Sequence, residues 1–347
     1  MTAVRHDGRA FTGAVGIVML GAALIGLALL KWPASVAVLR DVVSSGTFRP
    51  ADPLIPVEDL GRAIRPAVLT VNYLVDVWWA LLFGLLIAAS VQAFVPRAWL
   101  TRVFAGRSMR TQLRACAAGT PLMLCSCCVA PVAVDVFHHT ARRIGPALGL
   151  LLAAPSMNPA ALALTFLLFP REIAVARLLM ALGAVFALAA ILDRFLQSDA
   201  AASVEAAVAP AAEPAGAAGA FLAAFAKTSL RTLPLVVLGV LVSMTLLDAF
   251  PLSDATSGSS QTLVIVLGTL IALPMALPTF FEIPLGLMLM DGGVPYGLVA
   301  AVLFAGPAVN LPSLLTLGSA AGAKLGVALA AGVFALAVLG GFIVGAS

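Results

Sequence analysis

Seven runs of the chain are long and apolar enough to cross a lipid bilayer, and they lie near residues 12–31, 69–95, 144–169, 172–196, 232–250, 296–317 and 322–345. A helix needs about 20 apolar residues to span a hydrocarbon core about 30 Å thick. Only 10% of the 347 residues are charged, whereas soluble domains are about one quarter charged. The sequence therefore predicts an all-α polytopic membrane protein whose main partner is the lipid bilayer.

The charged residues indicate topology. The net charge of +4 comes from short arginine-rich loops, which does not suggest a nucleic-acid partner. Loop 97–114 holds five arginines and no acid, and loop 138–143 holds two histidines and two arginines, so both are predicted to be cytoplasmic. We expect a bacterial-type inner (plasma) membrane protein with a cytoplasmic N-terminus, an external C-terminus and an uncleaved first helix.

Two further apolar segments, 115–137 and 262–290, contain prolines that interrupt helices. Broken backbone at membrane depth is tolerated only inside protein or beside a water-filled cavity. Since both loops around the first segment look cytoplasmic, the first segment is predicted to be re-entrant, and the second to be re-entrant from outside. Nine full spans is the alternative. The prolines predicted to break helices, in these segments and in the spans that follow them, are Pro121, Pro131, Pro155, Pro274, Pro278, Pro284 and Pro307.

The two halves of the chain resemble each other. Ten residues separate the outer prolines of each broken segment, and a Pro-x-x-Asn turn follows in each half. Such a pattern predicts two inverted repeats with a substrate site at their interface. The predicted units are an N-terminal helix and external loop (1–56), a first repeat (57–196), a flexible linker (197–217) and a second repeat (218–347). Stretches 57–67 and 218–231 are interpreted as interfacial helices or ordinary loops.

Cys125, Cys127 and Cys128 fall within four residues of the first broken segment. Thiolates are soft ligands, and trivalent arsenic and antimony bind them as Cu(I) and Zn(II) do. Three cysteines beside helix-breaking prolines favour a binding role over simple packing. A zinc site is less favoured, because His138 and His139 could supply further ligands only if the hairpin folds back. The three cysteines are the predicted binding site for a metalloid cargo.

Three polar residues lie inside apolar runs. Asn158 and Asn310 occupy the matching Pro-x-x-Asn turns, where each amide either satisfies carbonyls freed by proline or lines a central cavity. Glu282 aligns within one residue of Cys128 in the repeat comparison, so it is expected to meet the thiol cluster. A carboxylate in such a place is a candidate for proton coupling, and the alternative is a hydrated acid near the external mouth.

Two motifs carry a family resemblance, PLMLCSC at 121–127 and AAPSMNP at 153–159. With them the chain resembles, over roughly residues 60–345, the predicted-permease family that includes the ArsP-type organoarsenical efflux proteins. The resemblance implies an inner-membrane permease that exports trivalent organoarsenicals through Cys125 and Cys127, with Asn158 lining the cavity. Cys128 departs from the family pattern, in which a small residue such as glycine is usual. The extra thiol allows three-coordinate binding or indicates a different substrate.

The sequence holds no G-x-x-x-x-G-K-[ST] motif, so neither nucleotide hydrolysis nor a cofactor is predicted. The predicted function is secondary efflux of soft, thiol-reactive metalloids such as trivalent organoarsenicals, by a transporter and not by an enzyme. One alternative is uptake of a sulfur-containing small molecule. The other is a membrane thiol oxidoreductase in which Cys125 and Cys128 cycle as a disulfide. The direction of transport, the coupling ion and a homo-oligomer are left open.

Overall fold

The computed structural model describes residues 3–48, 53–57, 60–61, 63–95, 97–104, 109–140, 143–203, 216–249, 260–276 and 280–346. The protein is 87% helical, and the described residues include no strand. A 3-10 turn, Thr120–Leu122, precedes α5, and a π-helical stretch, Gly183–Leu188, joins α8 to α9. The helices are α1 (Ala3–Ser45), α2 (Arg65–Phe94), α3 (Arg97–Phe104), α4 (Met109–Gly119), α5 (Ser126–His139), α6 (Ile144–Ser156), α7 (Pro159–Leu168), α8 (Arg171–Leu182), α9 (Ala189–Ser203), α10 (Gly216–Ala249), α11 (Gln261–Ala272), α12 (Glu282–Asp291), α13 (Tyr296–Ala308), α14 (Leu311–Ala321) and α15 (Ala323–Ala346).

Five stretches of continuous helix in the described residues are long and apolar enough to span a membrane, in α1, α2, α8–α9, α10 and α15. Two helix pairs, α6–α7 and α13–α14, meet the same test when joined, but they bend by 44° and 46° at a short break. Counted together, these seven segments correspond to the seven apolar runs of the sequence. The prediction of an all-α multi-pass membrane protein is therefore confirmed.

The bends arise from proline on both sides of each break. Pro155 lies one residue before the end of α6, and Pro159 opens α7. The residue before a proline disfavours the helical conformation, so Asn158 leaves the helix and the chain turns there. In the second half Pro307 lies near the end of α13 and Pro312 is the second residue of α14, while the extended Asn310 precedes α14.

The prolines of the two segments predicted to be re-entrant do not all break helices. Pro121 is the second residue of the 3-10 turn and Pro274 follows α11, so breaks do occur beside these two. Pro131 and Pro284, in contrast, lie within α5 and α12, and these two helices continue through them. Pro284 is the third residue of α12, where no intrahelical hydrogen bond is lost. Pro278 lies outside the described residues.

The broken backbone of the second half is satisfied by polar contacts inside the protein. The Ser243 hydroxyl of α10 donates to the Pro274 carbonyl at 3.1 Å and accepts from the Ala276 N–H at 2.8 Å. The Leu311 N–H at the start of α14 also donates to Pro274, at 3.1 Å. Irregular backbone in a membrane protein requires such partners, so this break is held as part of the packed bundle.

The two halves share one order of elements: a long helix, a broken segment, a bent pair and a final long helix. Helices that occupy equivalent positions in the two halves also pack together: α2 with α10, α6 with α13 and α8 with α15. The inverted orientation of the halves, re-entrance and the unit boundaries stay predictions. Both ends of the proposed linker 197–217 are helical, and its centre, 204–215, lies outside the described residues. Stretch 218–231 is continuous with the span in α10.

Candidate thiol site

The three cysteines lie where an irregular turn becomes a helix. After the 3-10 turn, Met123 adopts a left-handed φ of 49°, and Cys125 is the extended N-cap residue of α5. The Cys125 carbonyl accepts hydrogen bonds from the N–H groups of Cys128 and Val129, both at 3.1 Å. Residues three apart in a helical turn share one face. This geometry brings the side chains of Cys125 and Cys128 together, as the sequence spacing predicts.

The three sulfur atoms form a compact triangle. The Cys125 Sγ lies 3.1 Å from that of Cys127 and 2.7 Å from that of Cys128, and the third edge is 3.9 Å. All three side chains are buried and none forms a disulfide. A soft ion bound about 2.3 Å from each sulfur needs sulfur separations of about 3.5–4 Å. One edge already has this length, and the other two would have to lengthen for three-coordinate binding.

Helix α2 forms one wall of the triangle. A Cβ on Gly84 would lie 2.7 Å from the Cys128 carbonyl oxygen, so glycine is what allows this close approach. Helices α6, α10 and α14 also pack against α5, so the helix that begins at the thiols is packed among helices of both halves.

Pro131 removes one backbone hydrogen-bond donor from α5. It is the sixth residue of α5 and has no N–H, so the carbonyl of Cys127 lacks its usual helical donor.

The histidines do not join the thiols. His138 lies 12 residues beyond Ser126 on α5, which is about 18 Å along the helix axis at 1.5 Å per residue. Its side chain is exposed, whereas the thiols are buried. The side chain of His139 lies outside the described part of the structure. A zinc site shared by the thiols and His138 is therefore not formed.

Both asparagines cap helices. Asn158 Oδ1 accepts from the N–H groups of Ala160 and Ala161, at 3.1 and 3.3 Å. Asn310 Oδ1 accepts from the Ser313 N–H at 3.0 Å, while the Ser313 hydroxyl accepts from the Asn310 N–H. The bonded groups are thus helix N–H groups, and not the proline-freed carbonyls considered from the sequence. Cavity lining stays a prediction, and within the described chain the buried Asn158 Nδ2 has no hydrogen-bond partner.

Glu282 belongs to a buried ion pair. Its Oε1 accepts from Arg177 Nη2 at 2.9 Å, and the two side chains are 2% and 1% exposed. Arg177 also donates to the Thr165 hydroxyl. Arg177 and Thr165 lie in the first half of the chain and Glu282 in the second, so the pair joins the halves. The sequence places Glu282 beside the thiols, whereas the partner that the structure gives its carboxylate is Arg177.

Arg177 is the functional candidate that the sequence reasoning missed. It lies inside the apolar run 172–196, and a charge in such a run usually marks a partner or a pathway. The rule that selected Glu282 therefore applied to Arg177 as well. No comparable signal pointed to Gly84, because its role depends on α2 lying against α5.

Broken helix pairs packed among long apolar helices, with buried polar residues at the breaks, define a multi-pass membrane permease. The chain belongs to the predicted-permease family ArsP_1, whose family model matches residues 66–346. A curated relative, the UPF0718 protein YraQ of Escherichia coli (strain K12), is 29% identical over 259 residues, which cover 73% of this chain and 72% of YraQ. No solved structure shows a significant match.

Proposed function

We propose that this permease exports soft, thiol-binding metalloid species, trivalent organoarsenicals among them, across the bacterial inner membrane by secondary transport. The observation that carries the proposal is the buried triangle of Cys125, Cys127 and Cys128, because thiolates select soft centres over hard cations. Helix α5, which begins at the triangle, packs against helices of both halves, and transporters of repeated architecture place their substrate sites between the repeats. In this proposal Asn158 and Asn310 line the same pathway, and the N-terminus is cytoplasmic.

Uptake into everted membrane vesicles tests this proposal, since such uptake corresponds to export from the cell. We expect the wild type to accumulate methylarsenite, with antimonite and arsenite as comparison cargoes. Cys125→Ser, Cys127→Ser and Cys128→Ser should each lower uptake at least about tenfold. Loss of a residue that only orients a metal ligand already lowers metal affinity or activity about 10–100-fold.

Cys116→Ser is the matched control. Cys116 lies on α4, half-buried, with its sulfur 3.7 Å from the Thr120 hydroxyl, so its removal should leave uptake unchanged. Equal uptake by wild type and the three cluster variants would contradict thiol binding. Absence of metalloid uptake by a folded wild type would favour a sulfur-containing cargo instead.

We also propose that Glu282 couples transport to protons. The carboxylate is paired with Arg177 at 2.9 Å in this conformation, so the proposal requires the pair to open during transport. Glu282→Gln removes the titrating group, and we expect vesicle uptake to lose its response to an imposed pH gradient.

Glu172→Gln is the control for this experiment, because Glu172 is an exposed acid at the start of α8. It should respond to the gradient as the wild type does. If Glu282→Gln also responds normally, proton coupling through Glu282 is excluded.

A thiol oxidoreductase is the second candidate, favoured by the separation of 2.7 Å between the sulfurs of Cys125 and Cys128. In that reaction two thiols would become one disulfide and pass two electrons and two protons to an acceptor such as a quinone. Quinone-linked turnover that is lost in Cys128→Ser would support it. Metalloid uptake without such turnover would support the permease proposal.

A further inference from the structure

The break between α6 and α7 frees three backbone carbonyl groups. In a continuous helix each carbonyl accepts from the N–H group four residues later. Pro159 has no N–H, so the Pro155 carbonyl lacks this donor. The N–H groups that would serve the next two carbonyls bond Asn158 Oδ1 instead, at 3.1 and 3.3 Å. Within the described chain, therefore, no backbone N–H donates to the carbonyls of Pro155, Ser156 and Met157.

Ser156 adds a side-chain oxygen to these carbonyls. It is the last residue of α6, its side chain is buried, and its hydroxyl has no hydrogen-bond partner among the described residues. The break lies near the middle of the candidate span that α6 and α7 form together, at a depth where the bilayer supplies no water. Buried hydroxyl and carbonyl groups normally have a partner, so this set of oxygens points to a bound ligand.

The chemistry of these oxygens fits a hard cation with a single charge. Hydroxyl and carbonyl oxygens are hard ligands, and the C-terminal end of a helix carries a partial negative charge. Neither α6 nor α7 contains an acidic residue, whereas sites for Ca²⁺ and Mg²⁺ draw on carboxylates. We infer that the α6–α7 break binds an alkali-metal cation, Na⁺, through the Ser156 hydroxyl and the freed carbonyls. This site goes beyond the proposed function, which assigns no metal ion to the protein.

The matching break of the second half provides an internal comparison. Helices α13 and α14 bend by 46°, close to the 44° of α6 and α7, but Ala308 ends α13 where Ser156 ends α6. The nearby Ser313 hydroxyl is already bonded, since it donates to the Asn310 carbonyl at 2.9 Å and accepts from the Asn310 N–H at 3.0 Å. The cation site is therefore expected in the first half only. Because alanine at this position is compatible with the bend, Ser156→Ala should fold.

Direct binding of radioactive Na⁺ to the purified full-length protein in detergent tests the inference, with choline chloride holding the ionic strength constant. The wild type should bind one Na⁺ per chain in a saturable manner. Ser156→Ala should lower the affinity for Na⁺ at least about tenfold, since loss of a residue that only orients a metal ligand already costs about 10–100-fold. Ser156→Cys replaces the hard oxygen by a soft sulfur and should lower the affinity in the same way.

Ser90→Ala is the matched control. Ser90 is an equally buried serine of α2 whose hydroxyl donates to the Leu86 carbonyl at 2.7 Å, so its removal should leave Na⁺ binding unchanged. Thermal unfolding without Na⁺ shows which variants are folded. The site is overturned if the folded wild type shows no saturable binding, if a folded Ser156 variant keeps the wild-type affinity, or if Ser90→Ala loses as much. The measurement uses neither an arsenical nor a pH gradient, so it is independent of the proposed cargo and of coupling through Glu282.

Discussion

Replacing Arg177 by methionine should lower the free energy of unfolding by about 3–5 kcal/mol, because it leaves a buried carboxylate without its cation. The Glu282 side chain is 2% exposed, and its Oε2 has no hydrogen-bond partner in the described part of the chain. Compensation for its charge therefore depends on the guanidinium. The measurement is denaturant unfolding of the purified protein in detergent micelles.

The double variant Arg177→Met with Glu282→Met should recover most of this loss, since replacing both members of a buried pair by apolar side chains is often neutral. Glu172→Gln, an exposed change on the same helix as Arg177, should stay within about 0.5 kcal/mol of the wild type. If Arg177→Met costs nothing, Glu282 is hydrated or protonated and the pair is not closed. The double variant also tests coupling in a folded protein that lacks both charges.

The helical architecture could be predicted because apolar run length alone decides which segments span a bilayer. The positions of the breaks depended on finer detail. Pro131 and Pro284 have the same residue type as Pro121 and Pro274, yet they lie inside helices. Pro284 lies in the first turn of α12, where no intrahelical hydrogen bond is lost, whereas α5 continues through Pro131 although one helical hydrogen bond is lost there. In this protein the turn before a helix fixes where that helix begins. The presence of a proline alone does not predict that position.

The thiol site was predictable for a similar reason, because its three residues are neighbours in sequence and one helical turn brings them together. Its surroundings were not predictable. Trp32 and Gly84 lie on helices distant in sequence from Cys125, and their contacts arise only when α1 and α2 pack on the turn. Glu282 shows the same limit. The repeat alignment predicted that it lies near Cys128, whereas in the folded protein its carboxylate accepts a hydrogen bond from Arg177.

Gly84→Ala should weaken methylarsenite binding at the thiol cluster about tenfold. The added Cβ would lie 2.7 Å from the Cys128 carbonyl oxygen and 3.4 Å from the Cys128 Cβ. A backbone carbonyl cannot rotate away as a flexible side chain does, so the first turn of α5 must shift, and the sulfur triangle shifts with it. Such overpacking typically costs about 1–3 kcal/mol, and about 1.4 kcal/mol corresponds to tenfold in affinity.

Gly21→Ala is the matched control for this substitution. Gly21 lies within α1, and no atom is close enough to meet an added Cβ, so the change should leave binding intact and gain up to about 1 kcal/mol of helix propensity. Dialysis binding and unfolding are measured on both variants. Because Gly84 contacts Cys128 and Gly21 has no such contact, a selective loss in Gly84→Ala identifies α2 as a wall of the site. Equal binding by both variants would show that cargo does not depend on the position of the Cys128 turn.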